Sequence, residues 1–263
     1  MSEPTVLSAR DGGVQKITLN RPQAFNSFNR EMHLALRDAL AHAAGDSDVR
    51  AVLLDAAGKA FCAGQDLSEP SISPVGQTPD LGTAIEDFYN PLIRQIRALP
   101  LPVVCAVGGV AAGAGANLAL ACDIVLAGAS ARFIQAFCKI GLVPDSGGTF
   151  MLPRLVGAAR AAGMALLGEP VSGREAADWG LIWRCVEDDA LADEAARLAA
   201  HLATQPTLGL AATKQALATS WRNTLDEQLD LERDLQRAMG RTEDYREGVV
   251  AFGEKRKPVF TGR

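Results

Sequence analysis

Gly108-Gly109-Val110-Ala111-Ala112-Gly113-Ala114-Gly115-Ala116 decides the fold of this chain, because here an apolar run passes through a glycine-rich turn into small residues. Pro102 to Val107, just upstream, is too apolar for a surface strand, and Gly113 to Cys122 fits a turn entering a helix. Short strands that alternate with helices make an α/β fold. A helix beginning at such a turn offers unpaired N–H groups and the positive end of its dipole, and glycine lets a ligand approach the main chain. The segment lacks the third glycine of a dinucleotide site and the Gly-Lys-Ser/Thr of a phosphate loop. A purely structural turn is the competing reading.

The same alternation extends in both directions. Val14 to Leu19, Val49 to Leu54 and Asp123 to Leu126 read as strands, while Met32, Leu36, Leu40 and Ala43 recur at helical spacing. Thr83 followed by Glu86 reads as a capping box for a helix whose buried stripe is Phe88, Leu92, Ile96 and Leu99, ended by Pro100 and Pro102. Residues 68–82 form the one long loop signal. From about residue 190 strand signals vanish, and Ala195 to Ala203, Thr207 to Trp221 and Leu225 to Met239 read as helices. The expected division is a core over 1–195 and a helical region over 196–263.

Composition narrows the function. A chain of 263 residues with 48% hydrophobic and 22% charged residues buries a large core. A net charge of −5 opposes a phosphate backbone and argues against nucleic-acid binding. The cysteines at 62, 105, 122, 138 and 185 lack paired metal-ligand spacing and read as buried thiols of a reducing compartment. The first residues show neither a basic leader nor an apolar run of membrane-spanning length, so a cytoplasmic protein is expected, with no membrane partner.

Two further stretches carry chemistry: Phe61-Cys62-Ala63-Gly64-Gln65-Asp66-Leu67 and Gly141-Leu142-Val143-Pro144-Asp145-Ser146-Gly147-Gly148-Thr149. Backbone N–H groups aimed at a carbonyl oxygen stabilise the charge that develops there, each contributing about 3 kcal/mol to the barrier. Asp145 stands among Ile140, Leu142, Val143 and Phe150, whose apolar character would raise its pKa while a nearby helix start would lower it. It reads either as a general base or as the N-cap of a helix from Gly147 to Leu155. Asp145-Ser146-Gly147-Gly148 also looks like a serine-protease nucleophile segment, but that chemistry needs a histidine base. His33, His42 and His201 all fall in helical patterns expected to face solvent.

Asn20-Arg21-Pro22 with Asn26-Ser27, Phe61 to Leu67, Ala106 to Asp123, Gly141 to Thr149, Ala176 to Leu181 and Glu254 to Phe260 resemble, in order and spacing, the motifs of the crotonase, or enoyl-CoA hydratase/isomerase, family. The resemblance covers essentially the whole chain. It implies a spiral of ββα repeats with a C-terminal α-helical trimerisation region, assembled as a homotrimer or a dimer of trimers. It implies an acyl-CoA substrate whose thioester carbonyl sits on the backbone N–H groups of Gln65 and Ala114, with no metal and no cofactor beyond the coenzyme A of the substrate. Ala24, Ala63, Gly64, Asp66 and Leu67 would follow the coenzyme A, and Phe252 and Lys255 would reach that of a neighbouring subunit. Gly113, Asn117 and Phe137 complete the substrate-binding set.

The departures are informative. Family hydratases use two glutamates, and Asn117 and Phe137 stand at those positions, so water addition by the usual route is disfavoured. Asp145 falls where isomerase members carry an acid, and the catalytic set becomes Asp145, Gln65 and Ala114. Asn117 would hold water or ligand, or else satisfy backbone groups; Asp66 reads first as a turn residue. Within the isomerases the likeness is to those that rearrange an epoxidised phenylacetyl thioester, through Phe61 to Leu67, Phe88-Tyr89-Asn90-Pro91-Leu92, Gly109 to Ala116 and Leu229 to Asp234. A 2-enoyl-CoA hydratase and a catalytically silent CoA-binding or RNA-associated scaffold are the alternatives.

Overall fold

The computed structural model describes residues 3–68 and 80–263. In chain order, β1 (Val6–Asp11) and β2 (Val14–Leu19) lead to α1 (Arg30–Gly45). Next come β3 (Ala51–Ala56), β4 (Ala60–Cys62), α2 (Leu81–Ala84), a π-helical turn over Ile85–Tyr89 and α3 (Asn90–Ala98). Then β5 (Val103–Val107), β6 (Val110–Ala112) and α4 (Ala114–Ala121) precede β7 (Ile124–Gly128), β8 (Arg132–Ile134), a 3₁₀ turn over Ala136–Ile140 and α5 (Gly148–Leu167). The chain closes with β9 (Val171–Ser172), α6 (Gly173–Asp178), β10 (Arg184–Val186), α7 (Leu191–Ala203), α8 (Thr207–Ser220), α9 (Leu225–Met239) and α10 (Glu243–Glu254).

Topology turns this list into a spiral. A six-stranded sheet runs β1-β2-β3-β5-β7-β10 and a four-stranded one β4-β6-β8-β9. Three successive strand pairs, β3/β4, β5/β6 and β7/β8, therefore each send their first strand to the large sheet and their second to the small one before a helix follows. Within both sheets these strands pair in parallel. The C-terminal ends of β4, β6 and β8 consequently lie side by side, the position where parallel sheets place ligands.

The large sheet is covered on both faces, which is why β3 and β5 read as unbroken apolar runs. Val52, Leu54, Val103 and Cys105 share one core with Met32, Leu36 and Leu40 of α1 and with Leu92 and Ile96 of α3. Ala51, Leu53, Val104 and Ala106 point the other way, onto Leu191, Ala195, Ala199 and Ala203 of α7. The expected division at 195/196 thus falls within a helix that packs on the sheet. The layer beyond it is fastened by Lys214, whose Nζ donates to Asp123 Oδ2 at 2.7 Å and to the carbonyls of Ile96 at 2.9 Å and Leu101 at 3.2 Å. The C-terminal tail is held too: Asp244 accepts from the N–H groups of Thr261 and Gly262, and Arg50 donates to the carbonyls of Phe260 and Gln205.

Several expectations are corrected. His33 does not face solvent; it is fully buried in the core face of α1. The helix expected from Thr83 is capped by Asp80, which accepts from Gly82 N, and Tyr89 is buried whereas Phe88 of the expected stripe is only half-buried. The π-helical turn has a cause in Pro91, which lacks the N–H a helix would give to Asp87 O; instead Asn90 N bonds Ile85 O, five residues back. Cys62, Cys105 and Cys122 are buried, but Cys138 and Cys185 are only partly so. α10 carried no helix expectation. The long loop expected over 68–82 lies largely outside the described residues, and its last two positions already belong to α2. α5 is long and apolar enough to cross a bilayer by length and composition, yet Gly157 (φ +78°, ψ 165°) breaks it into two pieces shorter than the ~20 residues a span requires.

Candidate active site

Three loops meet at the carboxyl ends of the small sheet. The first leaves β4 at Cys62 and is stitched to the segment that follows a 3₁₀ turn at Pro22–Ala24: Ala63 N donates to Phe25 O, Phe28 N to Gly64 O and Asp66 N to Phe28 O. These bonds alternate along the loop. Among the described residues Gln65 N has no partner. The second loop turns at Gly113 (φ +54°, ψ −125°) into α4, all of whose residues are buried. Ala114 opens that helix, and its N–H also has no partner among the described residues.

Glycine brings these two donors together. A Cβ on Gly64, at φ +93°, would stand 2.9 Å from Ala112 O and 3.5 Å from Ala114 N. A Cβ on Gly115 would meet Cys62 O at 2.4 Å. Only hydrogen at both positions permits β4, β6 and the start of α4 to lie this close, which brings the first loop against the N-terminus of α4.

The third loop carries Asp145. Its backbone is fixed from below, since Asp145 O accepts from Asn117 Nδ2 at 2.8 Å and from Gly148 N at 2.8 Å. Ser146 and Gly147 both adopt left-handed conformations (φ +50° and +79°) that turn the chain into α5. The carboxyl group does not cap that helix, whose N-cap is Gly147 with no side-chain bond. It accepts one bond, from Ser146 Oγ at 2.9 Å. Burial pushes its pKa above the usual carboxylate range, and the Ser146 bond only partly opposes this. Its apolar neighbours in sequence, Ile140, Leu142, Val143 and Phe150, are themselves exposed. Ser146 is buried with its hydroxyl turned to Asp145, and His33, the one fully buried histidine, is enclosed by Phe28, Phe88 and Tyr89, so the serine-nucleophile reading lacks its base.

The remaining expected residues divide clearly. Phe137, buried in the 3₁₀ turn after β8, places its ring 3.7 Å from where a Gly113 Cβ would stand and so walls the second loop. Asn117 has no accessible surface; its amide is engaged by Asp145 O and Gln135 Nε2, which makes it a support for the third loop instead of a ligand contact. Asp66 behaves as the turn residue it first reads as. Its carboxylate accepts from Arg21 at 2.9 Å and from Ser68 N and Oγ, and although burial acts to raise its pKa, these bonds prevail and hold it below the usual value. Ala63 and Leu67 are exposed along the first loop and Ala24 lies half-buried beside it. Phe252 and Lys255 sit far along the chain at the end of α10, exposed, with Lys255 in a left-handed cap. Cys62, although at the site, is a poor nucleophile because burial pushes its thiol up to about 12.

The enoyl-CoA hydratase/isomerase family profile matches residues 9–263. The chain belongs to this family. Its members are enzymes, and the crotonase resemblance seen in the motifs is thereby confirmed, together with the α/β spiral. The chain is 57% identical over 98% of both sequences to the 1,2-epoxyphenylacetyl-CoA isomerase of Escherichia coli K12. It is 36% identical over the full length of both to the 2,3-dehydroadipyl-CoA hydratase of the same organism. Among solved structures, the enoyl-CoA hydratase of Bacillus anthracis superposes with a TM-score of 0.92 at 30% identity, covering 98% of this chain and all of the other.

Tyr89 was the residue missed as part of the site. Its hydroxyl donates to Gln65 Oε1 at 2.6 Å, directly behind the first loop. The signal was present in Phe88-Tyr89-Asn90-Pro91-Leu92: Tyr89 lies three residues before Leu92 and seven before Ile96, helical spacing as regular as that of the stripe through Phe88.

Proposed function

We propose that this member of the family is an acyl-CoA isomerase that works through an enolate, with Asp145 as its acid-base group. The thioester oxygen binds the N–H groups of Gln65 and Ala114. Asp145 takes the proton from the carbon next to the carbonyl, and the electron pair of that C–H bond moves into the enolate held by the two donors. For ring-1,2-epoxyphenylacetyl-CoA the enolate electrons drive opening of the epoxide toward the seven-membered oxepin, and Asp145 holds the proton for return. The same group could carry a proton between C2 and C4 of an enoyl chain, giving Δ3 to Δ2 isomerisation.

One observation carries this reading: Asp145 is a half-buried carboxylate with a raised pKa and, among the described residues, no cation paired with it, while Asp66 is tied to Arg21 and the other acid positions of a hydratase are filled by Asn117 and Phe137. The identity to the epoxyphenylacetyl-CoA isomerase favours the aromatic epoxide over a fatty chain. Ala63, Gly64 and Leu67 then line the coenzyme A, and the exposed apolar faces of α8 to α10 are covered by other subunits of a cytoplasmic trimer or paired trimer. Product analysis by mass spectrometry tests the proposal, with ring-1,2-epoxyphenylacetyl-CoA, a 3-enoyl-CoA and a 2-enoyl-CoA supplied in parallel. Conversion of the first two without hydration of the third is expected; 3-hydroxyacyl-CoA as the main product would make the enzyme a hydratase.

A further inference from the structure

Gln65 is unusual for a residue whose main chain is to hold an oxyanion, because its long polar side chain is turned back into the protein. Nε2 donates to the carbonyls of Phe28 and Asp66, both at 3.1 Å, and Oε1 accepts from Tyr89 Oη at 2.6 Å. The side chain therefore bridges the first loop to the element that follows it in sequence, and the free N–H of Gln65 sits on a residue held at both ends.

Tyr89 is itself held firmly. It is 5% exposed, its ring meets His33 edge-on at 4.3 Å and Phe28 at 6.0 Å, and it leaves the chain at the end of the π-helical turn. Such turns insert one residue into a helix and re-aim the side chains beyond it. Here the turn ends on Tyr89, which lies three residues before Leu92 and seven before Ile96 and so shares their buried side, with its phenol on Gln65. Burial, reinforced by the nearby Cys62, Asp145 and Asp66, keeps the phenol protonated, so it remains a donor throughout the working pH range.

We propose that Tyr89 is a positioning residue for the reaction, which acts through the Gln65 side chain to aim the Gln65 N–H at the developing enolate oxygen. The inference rests on the oxyanion role assigned to Gln65. Misplacing a catalytic donor by about 1 Å costs up to ~100-fold in rate, whereas a contact formed equally in the bound ground state changes KM instead.

The test uses Tyr89→Phe, which keeps the ring packing and removes only the O–H, and Gln65→Met, which removes the bridge but keeps the main-chain N–H. Tyr89→Phe should lower kcat about tenfold, leave KM within about twofold, and leave the acid limb of the pH profile in place. In the Gln65→Met background it should cost less than about twofold, because the acceptor is already gone. Amide hydrogen exchange in residues 63–67 should quicken in Tyr89→Phe without any substrate present, a readout that survives if Gln65→Met folds poorly. Wild-type kcat with unchanged exchange, or an equal loss in both backgrounds, would overturn the proposal. Turnover retained in Asp145→Asn would instead defeat the underlying reading of the site, while the exchange result still decides whether Tyr89 holds the loop.

Discussion

The rim of the small sheet and the C-terminal helical layer handle their surfaces in opposite ways. At the rim nearly every polar group is committed: Asp66 to Arg21 and Ser68, Asn117 to Asp145 O and Gln135, Gln65 to Phe28, Asp66 and Tyr89. Among the described residues, the N–H groups of Gln65 and Ala114 and the lightly bonded carboxyl of Asp145 stay open there. In the helical layer α9 buries no residue, and Leu217, Leu225, Leu229, Val249 and Phe252 lie exposed. A rim finished within one chain can preorganise chemistry, whereas exposed apolar surface of this kind marks a place where the proposed assembly would be joined.

The largest effect should come from the rim. Asp145→Asn is nearly isosteric and removes proton transfer, so turnover should fall at least ~1,000-fold. Stability should hold or rise at neutral pH: a carboxyl with a raised folded-state pKa binds its proton more tightly when folded, so ionisation weakens the fold as pH rises through that range, and the amide is spared this. Thermal unfolding beside steady-state kinetics separates the two. In the proposed mechanism Asp145 acts in its ionised form, so the rate should rise with pH along an acid limb whose midpoint lies above the ordinary aspartate value.

Next comes the joint between the two regions. Lys214→Met leaves Asp123 buried without its cation and should cost about 3 kcal/mol in urea unfolding. A loss below ~1 kcal/mol would mean that the helical layer is not fastened there. Gly64→Ala should cost about 2 kcal/mol, because alanine is strained at φ +93° and its Cβ meets Ala112 O at 2.9 Å. It should also lower kcat by parting the two donors, and equal stability with full activity would remove the argument for glycine there. The smallest effect on the single chain is expected from Leu229→Ser, within about 0.5 kcal/mol. The same substitution should weaken self-association in analytical ultracentrifugation, and an unchanged assembly would place the interface elsewhere.

Much of the rim was legible because its chemistry is written in glycines and in one aspartate, whose spacing survives without knowledge of packing. The small sheet that organises them was not. Its strands β4, β6 and β8 span three residues each, too short for a period-two pattern to register, and only their parallel pairing reveals that three distant loops share an edge. His33 was misread although the pattern held the answer: it lies three residues before Leu36 and seven before Leu40, on the buried side of α1. Burial of both ring nitrogens without a hydrogen-bond partner, with the pKa lowered to about 3 by desolvation and then by Arg37, leaves it a neutral aromatic wedge. Asn117 had two open readings, and only its contacts decide for support of Asp145.

The central claim is that Asp145 forms an enolate against the two loop donors. It is tested most directly by following proton exchange at the carbon next to the thioester carbonyl of phenylacetyl-CoA in D₂O, by NMR, with wild-type enzyme and Asp145→Asn. This substrate has no epoxide to open, so exchange reports the proton step alone. Deuterium entering with wild type and not with Asp145→Asn is the expected result; no exchange with wild type, or exchange that survives the substitution, would contradict the account.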